Sequence, residues 1–175
     1  LDYGANPNAV AQSTGWTPLH DAAYSDSADA ISILVSARAD VNSKAHSGAT
    51  PLCFAAQEDS PNAVRLLLDA GADATIRCCE SGSHGTQNSH THIYAHEFLP
   101  HQLPQQPSRF SGYTPLHYCA HYNSHRAAVI LLDHNIKLIK ESKSLFDIQD
   151  LNNKLPLQIV AERGSSDVMR ELLHH

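Results

Sequence analysis

The sequence predicts an all-α solenoid of stacked helix–turn–helix units. Three observations predict it. A seven-residue block recurs four times: TPLHDAA from Thr17, TPLCFAA from Thr50, TPLHYCA from Thr114 and LPLQIVA from Leu155. Its starts lie 33, 64 and 41 residues apart, a period of 33 with insertions of 31 and 8 residues. A second apolar run opens 13 positions after each start, at Ala30, Ala63, Ala127 and Val168, and reads AISILVSA, AVRLLLDA, AAVILLDH and VMRELLHH. Self-similarity at such a period marks units that bury their apolar faces on one another.

Each element follows from its residues. Thr17, Thr50 and Thr114 open the first helices, where a hydroxyl can accept from an orphan N–H. Pro18, Pro51, Pro115 and Pro156 then fall at the first helical position, where a missing N–H does no harm. Leu155 replaces the threonine, so the fourth unit is expected to be less well nucleated. Small pairs follow (Ala22–Ala23, Ala55–Ala56, Cys119–Ala120, Val160–Ala161) and allow helices to approach closely. Asp26, Asp59 and Asn123 stand in the turn between the two helices, where Gly164 stands in the last unit. Leu34, Leu67, Leu131 and Leu172 recur in the second helices and should fill the core between units. After those helices come Gly4, Arg38, Gly71 and Asn135, positions suited to a left-handed cap. Gly15, Gly48 and Gly112 sit two residues before a block.

This pattern resembles the ankyrin repeat family over nearly all of the chain except the two insertions. The resemblance implies units joined by short β-hairpin-like fingers, at 13–46, 47–78, 111–151 (with an extended finger) and 152–175 (terminal and partial), after a tail of a preceding repeat at 1–12. It also implies that His20 and His117 of TPLH are structural, with Cys53 and Gln158 interrupting their network. It implies a non-catalytic scaffold that binds another protein on the concave face formed by fingertips and first helices. The expected contact residues are Trp16, Tyr24, Ser25, His46, Gln57, Glu58, Tyr113, His121, Tyr122, Lys154, Glu162 and Arg163, with Ser47, Ala49 and Asn152 beside them.

Segment 79–110 reads as an inserted finger loop. Pro100, Pro104 and Pro107 break regular structure there, and His84, His90, His92, His96 and His101 crowd it. His92 and His96 share a face only on a helix, His90 and His92 only on a strand. The reading is a polar His-rich loop. The alternative is a zinc-type site using His90, His92, His96 and His101, closed by Cys78, Cys79, His84 or Glu97, or a pH-responsive module. A Cys–His nucleophile pair lacks a rigid support there, and neither an enzyme activity nor a cofactor is expected.

Composition narrows the rest. Hydrophobic residues make up 42% and charged residues 17%, as in a globular chain. The net charge of −6 gives no basic footprint for nucleic acid, and no apolar run is long enough to span a membrane. Four cysteines, two of them adjacent, fit a reducing compartment better than a disulfide framework. A cytoplasmic or nuclear, monomeric fragment of a larger protein is the expectation.

Overall fold

The computed structural model describes residues 4–78, 110–138 and 144–174. Among the described residues there are α-helices, one short 3-10 helix and no strand. The helices pair in sequence: α1 Pro18–Tyr24 with α2 Ala28–Ser36, α3 Pro51–Gln57 with α4 Pro61–Asp69, α5 Pro115–Tyr122 with α6 His125–Leu138, and α7 Pro156–Arg163 with α8 Ser166–His174. The first helices α1, α3, α5 and α7 stack on one another as one layer, and α2, α4, α6 and α8 stack behind them as a second. The all-α solenoid is therefore as expected.

The core lies between the layers and between units. Leu19, Leu52, Leu67, Leu116, Leu131 and Val160 are fully buried, and so are Ala23, Ala56 and Ala120 of the small pairs. Leu34, the first-unit counterpart of Leu67, is only half-buried, and Ile33 beside it is 68% exposed.

The helix starts depart from the expected chemistry. Proline does open α1, α3, α5 and α7, but the threonine hydroxyls do not cap the first turn. They turn to the side chain three residues on: Thr17 Oγ1 to His20 Nδ1 at 2.9 Å, Thr114 Oγ1 to His117 Nδ1 at 2.8 Å, and Thr50 Oγ1 to Cys53 Sγ at 3.5 Å. The threonine backbone N–H also donates to the imidazole, at 3.0 Å for Thr17 and 3.2 Å for Thr114. Leu155 keeps this half of the arrangement, its N–H donating to Gln158 Oε1 at 2.8 Å. The fourth unit is thus tied down at its start without a hydroxyl.

Two of the second helices, α4 and α6, are capped from the preceding unit. Asp26, held in a left-handed turn (φ 52°), accepts from Ala63 N–H in the first turn of α4 at 2.8 Å. Asp59 (φ 51°) accepts from Ala127 N–H in the first turn of α6 at 2.9 Å and pairs with Arg126 Nε at 2.9 Å. The turn that ends one helix therefore satisfies the orphan donors that begin another. A serine stands in register in all four units, at 27, 60, 124 and 165. Ser124 Oγ donates to Gln57 O at 3.1 Å and Ser165 Oγ to Ala120 O at 2.8 Å, stitching units together again.

The ends of the second helices differ from one another. Arg38 adopts the left-handed conformation (φ 64°) that Gly71 adopts (φ 88°). Asn135 does not end its helix: α6 continues to Leu138. The Ala-Asp tail that follows Arg38 and Gly71 buries Ala39 and Ala72 and draws the chain away. The sequence HNIKLI has no Ala-Asp pair at this place, and its residues can continue a helix. Residues 144–147 then return through Leu145, fully buried in the 3-10 helix Leu145–Asp147.

Candidate functional site

The fingers run beside the layer of first helices and are tied to it. Each closes by the same two backbone bonds in register. Ala45 N–H donates to Ala49 O at 3.0 Å and Gly48 N–H to Ala45 O at 2.8 Å; in the last finger Asp150 N–H donates to Lys154 O at 2.9 Å and Asn153 N–H to Asp150 O at 3.1 Å. Neighbouring fingers also join: His46 N–H donates to Thr14 O at 3.0 Å and Leu151 N–H to Ser111 O at 3.1 Å. This approach leaves no space for a side chain at Gly15 or Gly112. A Cβ at Gly15 would lie 2.5 Å from His46 N, and one at Gly112 would lie 2.6 Å from Leu151 N. Both glycines have positive φ, 73° and 78°.

The TPLH histidines tie fingers to helices. Because the threonine N–H must donate, Nδ1 is the acceptor and Nε2 carries the proton. That proton goes to the next finger: His20 Nε2 to Ala49 O at 3.3 Å, and His117 Nε2 to Lys154 O at 3.1 Å. Burial pushes both imidazoles below the ordinary histidine value, so the neutral form is favoured. Cys53 holds this position in the second unit and cannot reach a finger in the same way. Its thiol and that of Cys119 are buried and pushed up by desolvation, which keeps them protonated and poor nucleophiles.

The finger after the second unit closes across the inserted segment. Cys78 N–H donates to Tyr113 O at 2.9 Å and Gly112 N–H to Cys78 O at 2.8 Å, the same frame as Ala45–Ala49. Cys78 Sγ donates to Phe110 O at 2.6 Å and accepts from Tyr118 at 3.6 Å. Phe110 packs on Tyr113, Tyr118, His121 and Tyr122, with ring centroids 5.1–6.1 Å apart. His84, His90, His92, His96, His101, Cys79 and Glu97, on which the metal and pH readings fell, lie outside the described residues. Among the described residues no three His, Cys, Asp or Glu side chains gather in a way that could hold a metal.

The expected contact residues fall in three settings. Tyr24, Ser25, His46, Ser47, Glu58, Tyr122, Asn152, Glu162 and Arg163 are exposed, with Tyr24 at 44% and Tyr122 at 40%; Gln57, His121 and Lys154 are half-buried. Trp16 is half-buried in a ring cluster, 4.5 Å from Phe54 and 5.7 Å from Tyr24. Tyr113 and Ala49 depart from the expectation: both are buried. Tyr113 stacks on His117 at 5.4 Å, and burial, with the Asp150 carboxylate second, pushes its phenol up to about 12. Lys154 Nζ reaches both oxygens of Glu162, at 2.7 and 2.8 Å. Sequence reasoning missed Phe110 and Phe54. Phe110 read as a residue of the insertion, and Phe54 lies one turn before the expected contact positions.

Paired helices in two layers, with fingers clipped to each other and to the first helices, define an α-helical repeat solenoid. A family model described as ankyrin repeats (3 copies) matches residues 1–78, and one described as ankyrin repeat matches residues 111–140, together more than half of the chain. The chain belongs to the ankyrin-repeat family. No curated protein matches it. Ankyrin repeats are generally protein–protein interaction modules and are typically non-catalytic. No helix among the described residues is long and apolar enough to cross a membrane.

Proposed function

We propose that the chain is a recognition scaffold that holds another protein on the concave face of its first helices and fingers. The observation that carries this reading is Tyr24 and Tyr122. Both are large, part-exposed aromatics at the C-terminal ends of first helices. Tyrosine offers wide contact area at low rotamer cost and is enriched among residues that dominate binding energy. The fingers and TPLH tethers hold this face rigid, which lowers the ordering cost of association. Trp16 supports the face by packing beneath Tyr24 and does not stand out from it.

The test is affinity capture by the 1–175 chain with quantitative identification of what is retained. Tyr24→Ala with Tyr122→Ala should deplete specific partners at least tenfold, while Arg65→Ala, exposed on α4 behind the face, should leave them unchanged. Retention by the double tyrosine variant together with loss on deleting 79–109 would move recognition to the inserted segment and sink the concave-face reading.

A further inference from the structure

We propose that the concave face takes an extended peptide of mixed charge. A lysine or arginine of the peptide lies over α1 and α3, an apolar side chain lies on Tyr122, and an aspartate or glutamate lies over Arg163. The inference rests on the concave-face reading above and names the chemistry of its ligand.

The repeat register places equivalent residues side by side. The C-terminal ends of the four first helices carry Tyr24 and Ser25, then Gln57 and Glu58, then His121 and Tyr122, then Glu162 and Arg163. Charge changes sign along this line. In the first unit Asp21, one turn before Ser25 on the same exposed face of α1, is a carboxylate with no ion pair among the described residues. Glu58 in the second unit is exposed, and its hydrogen bond from Gln57 Nε2 at 2.9 Å is from a neutral amide, so its charge stays uncompensated. The third unit presents aromatic rings. In the fourth, Lys154 neutralises Glu162, which leaves Arg163 as an exposed cation without an ion pair among the described residues. Lys44 lies on the finger ahead of α3 and Glu58 just after it, and α3 itself is about 10 Å long at 1.5 Å per helical residue. Lys44 leaves the acidic end of the line in place.

The spacing sets the ligand. Neighbouring packed helices lie about 8–10 Å apart, so Glu58 and Arg163, two helices apart, are separated by about 16–20 Å. An extended chain covers about 3.3 Å per residue, so the two complementary charges on the peptide stand about five or six residues apart with the apolar residue between them. At the first position the Tyr24 ring adds a π face for the cation. A nucleic-acid backbone would meet Asp21 and Glu58 with like charge, so a polypeptide is the occupant the face fits.

The test uses the 1–175 chain and pools of labelled peptides about a dozen residues long, with capped ends and random sequence except at three positions. One pool fixes Arg, a central Leu and Glu at the spacing above; a second has Lys in place of Glu; a third has Glu in place of Arg. Binding is read by fluorescence anisotropy in low and high salt. The mixed-charge pool should bind about two- to fivefold more tightly than either like-charge pool, since exposed pairs are individually weak, and the preference should shrink in high salt. Arg163→Glu should turn the preference toward the Arg/Lys pool, and Glu58→Lys toward the Glu/Glu pool, each variant keeping the parent thermal midpoint. Equal binding of the pools, no binding, or unchanged ranking in both variants overturns the proposal. If the Tyr24→Ala, Tyr122→Ala capture result holds in that case, the concave-face reading stands and only the charge assignment falls; if it fails as well, both fall.

Discussion

The finger ahead of α3 and the finger ahead of α5 close with the same pair of backbone bonds, Ala45 with Ala49 and Cys78 with Tyr113. The first closes over a tight turn; the second closes over the whole inserted segment. They also differ in what steadies them. Ala49 O is held by His20, whereas Tyr113 O faces the unit where Cys53 has replaced the histidine. Aromatic packing of Phe110 and the Cys78 thiol bond take over there. Finger geometry is therefore imposed by neighbouring units and not by loop length, in keeping with the slow growth of closure entropy with length.

The sharpest way to break that equivalence is at the glycines. Gly15→Ala and Gly112→Ala each force a methyl against a backbone nitrogen at positive φ, and each should cost about 2–4 kcal/mol in urea unfolding. Equal losses would show that both fingers are held alike; a much smaller loss at Gly112 would show that the inserted finger yields. A second probe is deletion of 79–109, which places Phe110 directly after Cys78 and restores the length of the Ala45–Ala49 turn. This variant should fold and gain at most about 2 kcal/mol, from closure entropy alone. A net loss would mean that the segment holds contacts of its own.

Smaller effects separate the unit-to-unit ties. Asp26→Ala and Asp59→Ala should each cost about 1–2 kcal/mol as lost helix caps, and denaturant midpoints would rank them. Smallest is the pH response of the two tethers. His20 and His117 have folded-state values lowered from 6.5, so below that pH the unfolded chain takes up protons that the folded chain does not. Their contribution is complete above about pH 6.5 and is lost as pH falls below it. His117→Gln should flatten the fall in thermal midpoint between pH 7.5 and 5.5; an unchanged slope would place the acid sensitivity elsewhere.

Much of this was legible in the residues. The four blocks and their Pro and Leu positions set the helix pairs, and most positions after the small pairs proved exposed. What was hidden depended on neighbours in space. Tyr113 is covered because Phe110 emerges beside it from the far end of the insertion, which no local pattern reports. Asn153 takes the left-handed place of Gly15, Gly48 and Gly112 (φ 59°), in a unit where the glycine signal is absent. Asn135 suits a helix cap, but without a buried Ala-Asp tail nothing pulls the chain out of the helix. The aspartates at 26 and 59 read as turn residues, and their second role needs the helix of another unit as partner. The serines at 27, 60, 124 and 165 were a visible signal that passed unused.

Those aspartates give the stack a direction. Ala63 and Ala127 in the first turns of α4 and α6 are served by carboxylates that come earlier in the chain. Removing units from the C-terminal side takes no helix-start acceptor away from what remains, while removing them from the N-terminal side leaves α4 or α6 with a bare helix start. Beginning a helix is its least favourable step, and a chain emerging from the ribosome presents its N-terminal units first. The first and second units thus each lay down the acceptor for a helix start in the unit made after them, so at these two steps growth of the ordered stack runs with synthesis and not against it.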